Sequence, residues 1–175
     1  MKVLVTGGVR SGKSTHAESL AAEWPSATYV APGPTEADEA DDPDWAARLS
    51  AHRARRPATW TTLETRDLAA ALATDGPVLV DCLGTWLTGV IDDRQLWEHP
   101  ADEVAATIDA LLEQITAVLE RRDDVILVTN EVGLGVVPVH RSGRLFRDLL
   151  GTVNQRIGAC CDEVHLVIAG RALVL

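Results

Sequence analysis

Short β-branched runs alternate along this chain with longer stretches of helical periodicity. The runs are KVLVT at 2–6, TYVA at 28–31, VLVDC at 78–82, VILVT at 125–129 and EVHLVI at 163–168. Strands separated by helical segments predict an α/β fold built on a mainly parallel sheet. The first, third and fourth runs are apolar almost throughout instead of alternating, which predicts central strands covered on both faces. The clearest helix is ADEVAATIDALLEQITAVLERR, where Val104, Ile108, Leu111, Leu112, Ile115, Val118 and Leu119 form one stripe at three- and four-residue spacing. Pro100 precedes it, acids open it, and Arg121 and Arg122 close it as the helix dipole favours. A second helix, over 142–160, turns Leu145, Phe146, Leu149, Leu150, Val153 and Ile157 inward and leaves Arg144, Arg147, Asp148 and Gln155 for other contacts.

Composition narrows this picture. A length of 175 residues predicts one domain spanning 1–175, large enough for a sheet with helices on both faces. The formal charge of -10 excludes a general nucleic-acid or anionic-membrane binder, so an anionic ligand must meet a local basic cluster. Cys82, Cys160 and Cys161 form no spaced metal pair, and the adjacent two are poorly placed to bond each other. They read as reduced thiols of a soluble cytoplasmic protein. The opening apolar run is too short for a signal peptide, and no stretch approaches the roughly 20 apolar residues of a spanning helix. The acidic stretch EADEADDPD at 36–44 reads as a solvated loop without a ligand.

Between the first strand and the helical STHAESLAAEW lies GGVRSGKS, which meets the pattern G-x-x-x-x-G-K-[ST] at Gly7, Gly12, Lys13 and Ser14. Glycines let backbone N–H groups turn inward as an anion-binding nest, and the dipole of the following helix adds partial positive charge. Lys13 would reach the β and γ oxygens of a triphosphate. Ser14 would give its hydroxyl to Mg²⁺, with Asp81 at the end of VLVD as the accompanying carboxylate, unless Asp81 only caps its strand end. In PDWAARLSAHRARRPATW, Pro43 suits a helix start and Pro57 a stop; Arg48, His52 and Arg56 fall on one face with Arg55 beside it, which reads either as a phosphate clamp within an acidic protein or as an exposed basic helix with a surface histidine.

Taken together, TGGVRSGKSTHAE, the His52-to-Glu64 stretch HRARRPATWTTLE, VLVDCLGTWLT, VTNEVGLGVVP and RLFRDLLGTVNQRIGACCDEVHLVIAG resemble the bifunctional adenosylcobinamide kinase and adenosylcobinamide-phosphate guanylyltransferase family of cobalamin biosynthesis. The resemblance spans nearly the whole chain. It implies a RecA-like P-loop NTPase sheet and two reactions: phosphoryl transfer from ATP or GTP to the hydroxyl of adenosylcobinamide, then transfer of GMP from GTP to the new phosphate with release of pyrophosphate. The family's second reaction passes through GMP held on a histidine, and the matching position is His52; a neutral imidazole nitrogen is nucleophilic near neutral pH. His140, in a loop outside the matching segment, is the weaker alternative.

The same resemblance implies a nucleotide-binding set of Gly7, Gly8, Val9, Arg10, Ser11, Gly12, Lys13 and Ser14, with Ala31, Pro32 and Gly33, then Arg53, Ala54, Arg55 and Arg56, and finally Glu64 and Asp81. His52 and Lys13 are the catalytic candidates. Glu64 and Asp81 could serve guanine, ribose or metal, and Asn130 and Glu131 could orient an attacking group or cap a helix. Pro32 stands where a small hydroxyl residue is common in the family and Ala172 where a proline is usual; the first puts a side-chain contact to nucleotide in doubt. The resemblance also implies a homotrimer. A P-loop small-molecule kinase without a covalent step, which would not need His52, and a non-enzymatic nucleotide-dependent switch are the competing readings.

Overall fold

The computed structural model describes residues 1–34 and 56–175. Segment 35–55, which holds the acidic stretch and most of the stretch expected from the sequence to form a basic helix, with His52, Arg53, Ala54 and Arg55, lies outside the described residues. Seven strands form one sheet: β1 (Lys2–Gly7), β2 (Thr28–Ala31), β3 (Thr61–Glu64), β4 (Val78–Asp81), β5 (Val125–Val128), β6 (Glu163–Ile168) and β7 (Arg171–Val174), in the order β3-β2-β4-β5-β1-β6-β7. The first six are parallel to their neighbours, and β7 returns antiparallel along β6. The described helices are α1 (Lys13–Leu20), α2 (Leu68–Leu72), α3 (Leu83–Asp93), α4 (Ala101–Leu119) and α5 (Arg141–Gly158).

Alternation along each strand divides the core between the two faces. Leu4, Val30, Val78, Val80, Val125 and Leu127 pack under α2 to α5. Their neighbours Val3, Val5, Tyr29, Leu79, Ile126, Val128 and Val167 pack on the other face with Ala17 of α1 and Ala21 just beyond it. That is why the central strands are apolar almost throughout: their side chains leave water whichever way they point, at about 1.5–3 kcal/mol for each large aliphatic group. All five predicted strands are present. The two that went unread, β3 and β7, are the sheet edges, and every residue of β7 is exposed, so no buried periodicity marks it.

The stripe on α4 buries Val104, Ile108, Leu112, Ile115 and Leu119, while Leu111 and Val118 sit half-buried at its rim. The helix ends earlier than the pattern suggested. Arg122 lies beyond it and donates to the carbonyls of Thr74 and Gly76, closing the turn before β4. On α5 all the expected residues are buried except Phe146, which is half-buried. The sequence reading passed over α3, LGTWLTGVIDD, because two glycines and two threonines interrupt its pattern; Gly89 leaves room for the Arg66 side chain to cross the helix, since a Cβ there would meet Arg66 Nε at 2.3 Å and displace it. Among the described residues no helix is long and apolar enough to cross a membrane.

One polar contact joins α1 to the sheet. His16 Nε2 lies 2.9 Å from Nδ1 of His165, whose own Nε2 lies 2.8 Å from Glu163 Oε2. His165 is buried, so the two rings can share only one proton across their contact. Burial first, and the charge of His165 second, hold His16 below the usual imidazole range. As pH falls below about 6.5 the unfolded chain takes up a proton at this position that the folded chain resists, so stability is lost from there down through the lowered folded value. Urea unfolding followed between about pH 7.5 and 5.5 is expected to show stability falling with acidity, and His16→Gln is expected to flatten that slope; an unchanged slope contradicts the assignment.

Candidate functional site

A parallel sheet gathers the carboxyl ends of its strands along one edge, where ligands of such folds bind. The sequence candidates lie along this edge: Gly7–Ser14 after β1, Ala31–Gly33 after β2, Glu64 at the end of β3, Asp81 at the end of β4, and Asn130 and Glu131 after β5. Strand register confirms the alignment, with Ala31 opposite Glu64 and Asp81 opposite Val128. His140 is exposed at the amino-terminal cap of α5.

The phosphate loop is pinned on both sides. Glu131 N donates to Gly7 O at 3.1 Å, and Gly170 N, from the β6–β7 turn, donates to Ser11 O at 2.8 Å. A Cβ at Gly7 would lie 2.5 Å from the Val167 carbonyl oxygen, so only glycine fits between these strands. Gly12 caps α1 in a left-handed conformation, φ 95°, and no side chain caps the helix. The first-turn N–H groups are therefore presented to whatever anion enters. Lys13 Nζ reaches back over the loop to Gly8 O at 3.2 Å, and Val9 and Arg10 form its exposed tip.

Beside the loop stands a second cluster. Tyr29 is opposite Leu79 in register, so Asp81, two residues on, shares its face of the sheet. Tyr29 Oη donates to Asp81 Oδ2 at 3.0 Å. Burial first and the Asp81 charge second push the Tyr29 phenol well above its ordinary range, which keeps its proton available for that bond. Arg56 lies over the same ring, its Cζ 3.4 Å from the centroid, and donates from Nη1 to Thr62 Oγ1 at 2.9 Å. Arg56 Nε is buried with no hydrogen-bond partner among the described residues.

Cys82 is buried and reaches Thr85 Oγ1 and Asn130 Oδ1, each at 3.5 Å. Burial and the neighbouring Asp81 charge push this thiol up, which makes it a poor nucleophile. None of the described helices is capped by Asn130 or Glu131. The cap of α3 is Cys82 and that of α5 is His140, while Asn130 packs so closely on Gly84 that a Cβ there would come within 2.8 Å of its Oδ1.

Asn154, on α5, was missed as a site residue. Its Oδ1 accepts from Thr129 Oγ1 at 2.6 Å and its Nδ2 donates to Asn130 O at 3.0 Å, which fixes the carboxyl end of β5 just before Glu131 reaches the phosphate loop. Among the described residues no group of three or more His, Cys, Asp or Glu side chains gathers as a metal cage. Mg²⁺ carried by a nucleotide needs none, because phosphates and water supply most of its ligands; one hydroxyl and one carboxylate, Ser14 and Asp81, fit that pattern.

A family model described as cobinamide kinase / cobinamide phosphate guanyltransferase matches residues 3–175. The bifunctional adenosylcobalamin biosynthesis protein CobU of Salmonella typhimurium is 42% identical over 182 residues, covering 97% of both chains. The protein of that name from Escherichia coli is 38% identical over the same length and coverage, and the bifunctional adenosylcobalamin biosynthesis protein CobP of Pseudomonas aeruginosa is 40% identical over 183 residues, covering 100% of this chain and 97% of the relative.

Removing the Asn154 amide leaves the fully buried Thr129 hydroxyl without its acceptor. Asn154→Leu is expected to lower the free energy of unfolding by about 1–3 kcal/mol in urea titration, and a variant as stable as the parent contradicts this account of β5.

Proposed function

This chain belongs to the cobinamide kinase / cobinamide phosphate guanyltransferase family, and from that premise we propose how one edge of one sheet carries out both reactions. The protein is a transferase of cobalamin biosynthesis with cobinamide kinase and cobinamide-phosphate guanylyltransferase activities, using nucleoside triphosphates and cobinamide as substrates. The residues proposed for it lie within a single domain, 1–175.

For the kinase step, the Gly7–Ser14 loop cradles the β- and γ-phosphates and Lys13 offsets charge on the transferred group. Ser14 and Asp81 would hold Mg²⁺, which would supply positive charge to offset that developing on the phosphate. The hydroxyl of the corrinoid side arm attacks the γ-phosphorus in line, its proton passes to a nearby base, and the nucleoside diphosphate leaves. Asn130 and Glu131, fixed at the end of β5, orient the attacking group.

For the guanylyl step, an imidazole nitrogen of His52 attacks the α-phosphorus of GTP. A P–N bond forms, the bond from the α-phosphorus to the bridging oxygen breaks, and pyrophosphate leaves with that electron pair. An oxygen of cobinamide phosphate then attacks the same phosphorus, the P–N bond breaks, and His52 is regenerated. Arg53, Arg55 and Arg56 offset charge on the phosphate oxygens. The observation that carries this reading is the position of Arg56, four residues after His52, against Tyr29, whose hydroxyl meets Asp81. Four residues of extended chain span at most about 14 Å, which keeps His52 on a short tether from the site.

Ala31, Pro32 and Gly33 border the nucleoside, and Glu64 accepts from guanine N1–H and its amino group, giving preference for GTP in the second step. Cytoplasmic residence suits three free cysteines. A trimer suits Leu134, Val136 and Val139, which are 85%, 94% and 88% exposed on the loop after β5 and would be covered by a neighbouring copy.

GTP labelled at the α-phosphate is expected to leave acid-labile, base-stable label on the denatured protein. His52→Ala is expected to lose that label while still phosphorylating cobinamide from ATP. Label that survives the substitution moves the nucleophile elsewhere, and phosphoryl transfer with no label on the parent protein leaves a kinase without a covalent step.

A further inference from the structure

Tyr29 lies in a strand interior and touches no substrate group of either proposed step, yet it holds two members of the site at once. It is 2% exposed, and its hydroxyl and its ring face have different partners: Asp81 Oδ2 at 3.0 Å and the Arg56 guanidinium at 3.4 Å from the ring centroid. The hydroxyl is a donor to the carboxylate. The ring face, with its negative quadrupole, attracts the guanidinium most strongly where water is excluded. Thr62, opposite Tyr29 on β3, takes a second bond from Arg56 and fixes the plane of its guanidinium group.

We infer that Tyr29 is the positioning residue that holds Arg56 in register with Asp81 at the triphosphate seat. Its hydroxyl sets the Asp81 carboxylate; its ring sets Arg56, the described end of the segment that begins at His52. The inference rests on the proposed roles of Asp81 and the His52–Arg56 segment and adds the element that joins them. The two contacts divide between the reactions. Loss of the hydroxyl disturbs Asp81 and hence nucleotide handling in general, whereas loss of the ring frees Arg56 and falls on guanylylation.

The test is a pair of double-mutant cycles read by the rate of protein labelling from α-labelled GTP, with phosphoryl transfer to cobinamide from ATP measured alongside. Measured relative to phosphoryl transfer, which carries the loss of the hydroxyl, Tyr29→Leu and Arg56→Ala are each expected to slow labelling about tenfold, and the double variant about tenfold rather than a hundredfold, since the ring contact is lost only once. Tyr29→Phe keeps the ring, so Arg56→Ala is expected to cost its full tenfold in that background; this rescue separates the ring's role from loss of packing. Additive effects in the Leu cycle, or a Phe variant whose labelling no longer responds to Arg56→Ala, would overturn the inference while leaving the histidine mechanism intact. A parent protein that takes no label, or one in which Arg56→Ala leaves labelling unchanged, overturns the proposed mechanism and this inference with it.

Discussion

Two backbone hydrogen bonds, from Glu131 N to Gly7 O and from Gly170 N to Ser11 O, hold the phosphate loop between its flanking strands, and the proposed chemistry depends on that clamp. A nest of N–H groups binds phosphate well only if its geometry is fixed before the ligand arrives, because ordering a loop on binding would consume much of the interaction energy. Placing β1 between β5 and β6 supplies the fixation. The strand ends on either side each contribute one donor to the loop, and the close approach at Gly7 admits no side chain.

The rest of the edge is organised by polar groups paired at buried or half-buried positions. Thr129 is satisfied by Asn154, Asp81 by Tyr29, and the Cys82 thiol faces Asn130. Each such pair would be costly if half of it were missing, so each specifies one arrangement of the strand ends. Functional groups stand at the boundary of this network while its interior members hold them. Arg56 belongs to both, bonded to Thr62 and stacked on Tyr29 but with one buried guanidinium donor left over among the described residues.

Legibility in the sequence followed the range of the physical cause. The phosphate loop can be read because each residue type is demanded by chemistry within eight positions of chain, and β1, β4 and β5 because burial on both faces forbids polar residues along them. The edge strands β3 and β7 carry no such signature. Asp81 was recognisable by its place at a strand end, but Tyr29 read only as strand filler, since its partner lies 52 residues away. Asn154 and Thr129 are 25 residues apart, and His16 and His165 are 149 apart; no local pattern announces either pair. Only the folded sheet brings them together.

The central claim is that this edge, and no other surface, seats the triphosphate. Hydrogen exchange with and without GTP and Mg²⁺ addresses it most directly. The account predicts that the amides of Gly8 to Ser14 slow on binding, along with those at the carboxyl end of β4, while the amides of β7 do not change. Protection confined to another face, with the loop amides exchanging as fast as in the free protein, would contradict it.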